Sequence, residues 1–253
     1  MIEAAMGVSW EIAALIIATF FFGGFIKGMI GIALPIIAFG VLSTFFPVPV
    51  VLGYMVIPLV VTNLIQTFQA GNPAEPAKRF WPVIVFLVAG IAISARLVVE
   101  FDPSVLYALI GSAVVVFSTL SLLQPNFQLQ PAYEKPMGVV VGCIGGFFGG
   151  ISTIWGPPIT MYLVALKLEK EEMIRTIGLI WLCASVPMVI SYIAYDILNE
   201  ATWKISAVAS LPAVAGFYLG SWVRQFIGQN LFRTAILFFL ILIGLNLLRR
   251  ALF

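Results

Sequence analysis

Gly23-Gly24-Phe25-Ile26-Lys27-Gly28-Met29-Ile30-Gly31, with Pro35 following, is written a second time as Gly145-Gly146-Phe147-Phe148-Gly149-Gly150-Ile151-Ser152-Thr153, with Pro157 and Pro158 following. The two copies align without a gap. Each lies in an apolar run too long for one simple membrane span, 10–46 and 137–166. In lipid, a helix interrupted by Gly and Pro must satisfy its freed backbone groups inside the protein or along a wet cavity. Matching interruptions in two halves of a chain point to a transporter's substrate site near the bilayer midplane. The reading puts helix breaks at Gly23, Gly24 and Pro35, and at Gly145, Gly146, Pro157 and Pro158.

Composition sets the solvent. Of the 253 residues, 62% are hydrophobic and only 9% charged, more apolar surface than a soluble domain of this length hides. The expected partner is the lipid bilayer. Net charge near zero argues against nucleic acid. The chain has no His, which removes the commonest metal ligand and catalytic base. Cys143 and Cys183 form no CxxC and read as packed thiols. No phosphate-binding loop, metal cluster or catalytic dyad is visible, so neither enzyme chemistry nor a cofactor is expected. The first apolar run has no basic residue before it and reads as retained in the mature chain.

Further apolar runs lie at 48–70, 80–99, 103–123, 172–198, 203–223 and 231–248. Gly90 with Ser94, and Gly216 with Gly220, are small-xxx-small pairs at equivalent places in two of them. The chain therefore divides into a first membrane repeat, 1–125, a polar, proline-bounded linker, 126–134, and a second repeat, 135–253. The expected fold is an all-α polytopic membrane protein of two inverted repeats. Each repeat has one broken, re-entrant helix pair and three membrane-spanning helices. Lys and Arg choose this topology. If the two long runs each cross once, positive charge divides evenly between the faces. If each returns to its starting side, Lys78, Arg79, Lys135, Lys167, Lys170, Arg175, Arg224 and Arg233 share one face, and Arg96, Lys204, Arg249 and Arg250 the other. The bias predicts the 71–79 and 167–175 loops in the cytoplasm and both termini outside. Lys167 to Arg175 reads as a solvated loop, and Trp81, Trp203 and Trp222 as interfacial belt residues.

The candidate site follows from what is costly in lipid. A charge at the position of Lys27 costs about 2.5–3.5 kcal/mol on insertion scales, and no acidic residue is near it in sequence. The expectation is a cation that meets an anionic substrate. Gly28 and Gly31 beside it, and Gly149, Gly150, Ser152 and Thr153 in the second copy, supply a turn, hydroxyl donors and a restarting helix N-terminus, a fitting cradle for a small oxyanion. Asn63 and Gln66 share a helix face, with Ser185 at the equivalent place in the second half. Trp155 and Trp181 offer apolar walls for a small organic tail.

In its two glycine-proline motifs, its Gly90 and Gly216 helices and its two-half layout, the chain resembles the sulfite exporter (TauE/SafE) family. The resemblance covers nearly the whole chain. It implies a secondary transporter of sulfite, sulfonates or related small organic anions, often an exporter, coupled to the proton gradient and sited in a bacterial inner membrane. Lys27 departs from the family pattern, where a small residue is usual. A homo-oligomer is left open. The competing readings are an anion channel and a non-transport membrane assembly factor.

Overall fold

A computed structural model describes residues 9–69, 71–123, 128–168 and 170–226, with 241, 245, 248 and 249. The chain is helical. A long α1 (Trp10–Ile30) turns into a short α2 (Leu34–Leu42), and α3 (Val48–Gln69), α4 (Ala74–Ser94), a single turn α5 (Leu97–Glu100) and α6 (Pro103–Leu123) follow. After a 3-10 turn at Pro131–Tyr133, the second half repeats the order: a long α7 (Glu134–Ser152), a short α8 (Gly156–Ala165), α9 (Lys170–Ala194) and α10 (Glu200–Val223). Six helices among the described residues are long and apolar enough to cross a membrane. The expected helix at 231–248 falls almost wholly outside the described residues. So do residues 126 and 127 of the linker.

Apolar side chains coat the outside as well as the core. Ile93 and Leu211 are each 73% exposed. Trp81, Trp203 and Trp222 stand on the outer surface, where belt residues belong.

The glycine pairs decide which helices touch. Gly23 and Gly24, and Gly145 and Gly146, do not break their helices: α1 and α7 run through them. This corrects the expectation from sequence, and packing is the reason. A Cβ on Gly24 would stand 2.8 Å from the Ala213 carbonyl carbon and closer still to its oxygen; one on Gly146 would stand 2.7 Å from Leu87 O and 2.8 Å from Gly90 Cα. Gly23 and Gly145 instead face the short helices, at Leu34 and Ile159. The breaks fall later, at Gly31–Ala33 and Thr153–Trp155, with Pro35 and Pro157 in the first turns of α2 and α8. Proline fits there because the first N–H groups of a helix have no partner within it.

Each glycine helix thus packs on a helix from the other half. Gly28 lies on the backbone at Phe217 and Ser221 of α10, as Gly150 lies on Ile91 of α4 and on Ala95 just past its end. One constant offset carries Gly24 to Gly146 and Gly28 to Gly150; another carries Leu87 to Ala213 and Ile91 to Phe217. In both pairs the contacts advance in the same direction, so the paired helices are parallel. Small-xxx-small faces give such close approach in lipid.

Ion pairs tie α4, α7 and α9 together at one end of the bundle. The Arg79 guanidinium meets Glu134 at 2.6 and 3.0 Å and Glu172 at 2.9 Å, and Arg175 meets Glu75 at 3.4 Å. The stretch expected as a solvated loop is therefore largely the first turns of α9, with Glu172 and Arg175 engaged. Arg79 and Glu172 are each 41% exposed, so these pairs fix position more than they add stability.

Candidate functional site

Lys27 is 1% exposed, near the end of α1. Its Nζ donates to Thr62 Oγ1 at 3.0 Å and to Asn63 Oδ1, both on α3. Thr62 donates its own hydroxyl back to Pro58 O at 2.7 Å, which frees the Thr62 oxygen to face the ammonium. Asn63 Nδ2 reaches across to α9, to Ser185 Oγ at 2.8 Å and Trp181 O at 3.2 Å. Ser185 in turn donates to Trp181 O at 2.8 Å. Every partner of the ammonium among the described residues is neutral.

The offset that carries Lys27 to Gly149 also carries Gly31 to Thr153, Ala33 to Trp155 and Asn63 to Ser185. Asn63 and Ser185, at equivalent places, hydrogen-bond to each other where α3 meets α9. The site therefore sits on the seam between the halves. It is not symmetric: where the first half holds the lysine, the second holds Gly149, with the Trp155 ring 3.0 Å from where a Cβ would be. Trp155 is 1% exposed and meets Trp181 edge-on, ring centroids 6.3 Å apart.

The structure brings together Lys27, Gly31, Asn63, Gln66, Trp181 and Ser185. A Cβ on Gly31 would lie 3.2 Å from Gln66 Nε2, and Gln66 has no hydrogen-bond partner for either side-chain atom. Gly28 and Gly150 face away, onto α10 and α4. The donors expected at the second break are occupied: Thr153 N–H bonds Gly149 O at 2.7 Å, and Ile154 N–H bonds Ser152 Oγ at 3.1 Å. Ser152 Oγ itself donates to Phe148 O, and Thr153 Oγ1 to Ser152 O, each at 2.6 Å. Those hydroxyls close a turn rather than open a cradle.

Three buried residues escaped the sequence reading. Thr62 gave no signal because threonine in a membrane helix usually serves its own backbone. Thr176, next to Ile177 on α9, has a buried hydroxyl without a partner. Tyr192 on α9, fully buried, donates to Gly150 O at 2.9 Å and so holds the end of α7. Tyr192→Phe is expected to lower stability by about 1 kcal/mol, one buried hydrogen bond. A thermal melt of the purified protein beside wild type checks it; an unchanged melting temperature contradicts the assignment.

The groups at the seam are an amine, two hydroxyls and two side-chain amides. A model of the family described as Sulfite exporter TauE/SafE matches residues 16–247. The chain belongs to this family. No curated protein and no solved structure matches it. TauE/SafE membership accords with the spanning helices: this is an integral membrane protein of a transport family, with a small anion as the substrate the family implies. Within the TauE/SafE frame, Lys27 gives this chain a buried amine on one side of the seam only.

Proposed function

We propose that the protein is a secondary transporter that exports a small sulfur-containing or organic anion, of sulfite or sulfonate type, across a bacterial inner membrane, driven by the proton-motive force. The observation that carries this reading is Lys27: an ammonium 1% exposed at the seam, met only by neutral oxygens. A buried charge with no counter-ion is costly. An anion arriving there has lost most of its hydration and needs a fixed charge in its place. Asn63, Ser185 and Gln66 line the approach, and Trp155 and Trp181 give it an apolar wall.

The two halves act as inverted repeats, 1–125 and 135–253. The ion pairs support this topology. That Arg79 meets both Glu134 and Glu172 favours a run 137–166 that returns to its starting face. A single crossing there would set Glu172 on the opposite face from Glu134. The Lys and Arg bias then puts the ion-paired end in the cytoplasm and both termini outside.

Everted inner-membrane vesicles test export. Radiolabelled sulfite is expected to accumulate inside them when they are energised, and a protonophore is expected to abolish the accumulation. Accumulation no greater than in vesicles lacking the protein contradicts transport, and accumulation indifferent to the protonophore contradicts the driving force.

A further inference from the structure

Beside the Thr176 hydroxyl, the Gln66 amide is left unanswered, at both of its polar atoms. Gln66 lies on α3 one turn beyond Thr62 and Asn63 and is 2% exposed. Neither its Oε1 nor its Nε2 has a partner. Turning the amide over changes nothing: a donor and an acceptor remain. Opposite it, α1 makes the same step, from Lys27 to Gly31, whose N–H bonds the Lys27 carbonyl at 2.7 Å. Gly31, at φ 81, presents no side chain, and Ile177 closes the far side. The two helices thus face each other at two levels about 5 Å apart. At the first, ammonium, hydroxyl and amide satisfy one another. At the second, an amide stands unpaired over a glycine.

Lys27 supplies one positive charge, and it is the one charged residue among the buried residues described. A monoanion makes a neutral pair with it; a dianion leaves an excess charge inside the bundle. An amide with both atoms free matches a group that donates and accepts at once. A ligand that pairs both atoms recovers what burying them costs, and one that pairs only the donor leaves the acceptor stranded.

We propose that Gln66 selects the protonated monoanion of an oxyacid: Oε1 accepts the acid O–H, Nε2 donates to a second oxygen of the same head group, and Lys27 takes the charge. This rests on the reading of the Lys27 site as the anion's binding place. Hydrogensulfite carries such an O–H; an ionised sulfonate does not. No carboxylate among the described residues is buried, and in this proposal the proton enters and leaves on the anion. Each cycle then moves one net negative charge, and an inside-negative potential drives export.

Methylphosphonate and methanesulfonate test this, because at mildly acid pH both are monoanions of one shape and they differ by a single O–H. In proteoliposomes carrying out radiolabelled sulfite exchange, methylphosphonate is expected to compete at least about tenfold more strongly than methanesulfonate. In Gln66→Leu, or Gln66→Met if the first variant does not fold, the two are expected to compete alike. Equal competition in the wild-type protein overturns the proposal, as does a preference that survives loss of the amide. Sulfite exchange by the wild type with equal competition leaves the anion site standing and removes only the role of Gln66. No sulfite exchange at all removes both.

Discussion

Lys27→Met is expected to give a folded protein, no less heat-stable than wild type, that binds its anion about 10- to 150-fold more weakly. The two halves of this expectation have separate causes. Methionine keeps the bulk of the lysine stem and removes a charge that no carboxylate among the described residues balances. Replacing a buried charge by an apolar side chain of similar volume is often neutral or stabilising. The change leaves Asn63 Oδ1 without its donor, which offsets part of that gain, while Asn63 Nδ2 keeps Ser185 and Trp181. The affinity loss is that of a charge-assisted hydrogen bond, about 1.5–3 kcal/mol, and the fold-change follows from it. Melts of wild type and variant with and without sulfite separate the effects, since a ligand bound only by the folded state raises the melting temperature by mass action. A variant that melts well below wild type and still shifts fully with sulfite would mean that Lys27 is structural.

Gly24→Val is expected to prevent accumulation of folded protein in the membrane. A Cβ at Gly24 points into the backbone of α10 at Ala213, inside the distance real Cβ atoms keep. Overpacking a core costs about 1–3 kcal/mol where side chains can give way, and more where backbone must move. Here the atoms in the way are backbone, so trimming Ala213 to glycine is not expected to rescue the variant. One displaced helix also shifts Lys27, less than a turn further along α1. Against a total stability of about 5–15 kcal/mol, the loss is large. Leu211→Val on the lipid-facing side of α10 is the control, because Leu211 is 73% exposed. Detergent-solubilised yield and gel filtration read the outcome. A Gly24→Val protein as abundant and monodisperse as the control would show that α1 and α10 do not pack as described.

The sequence carried the helical class and the family, because each is spread over many residues. It located the cation because a lysine in an apolar run has no bland explanation close by. Asn63, Gln66 and Ser185 were legible as polar residues in lipid-length helices. The glycines were read for the wrong purpose. A turn and a close helix approach both need a missing Cβ, so the pattern Gly23-Gly24 or Gly149-Gly150 does not say which need is being met. The left-handed turns fell on Gly31, a glycine of the motif, and on Ala33 and Thr153, whose residue types carry no signal of a positive φ. The expected oxyanion cradle at Ser152 and Thr153 failed for a related reason. Their hydroxyls and N–H groups close the turn locally, which sequence spacing cannot reveal. Thr62 was missed because its partner, Lys27, lies on another helix.

Counterflow in proteoliposomes of the purified protein separates a carrier with its anion site at the seam from a channel. Vesicles are loaded with unlabelled sulfite and diluted into a trace of labelled sulfite, with equal potassium on both sides and valinomycin holding the membrane potential at zero. A carrier with one closed anion site at the seam predicts transient accumulation of label above equilibrium, saturating as external sulfite rises. Uptake that is linear in sulfite and unaffected by internal substrate would indicate a channel, and no uptake from folded protein would indicate a non-transport role. Either result contradicts the account.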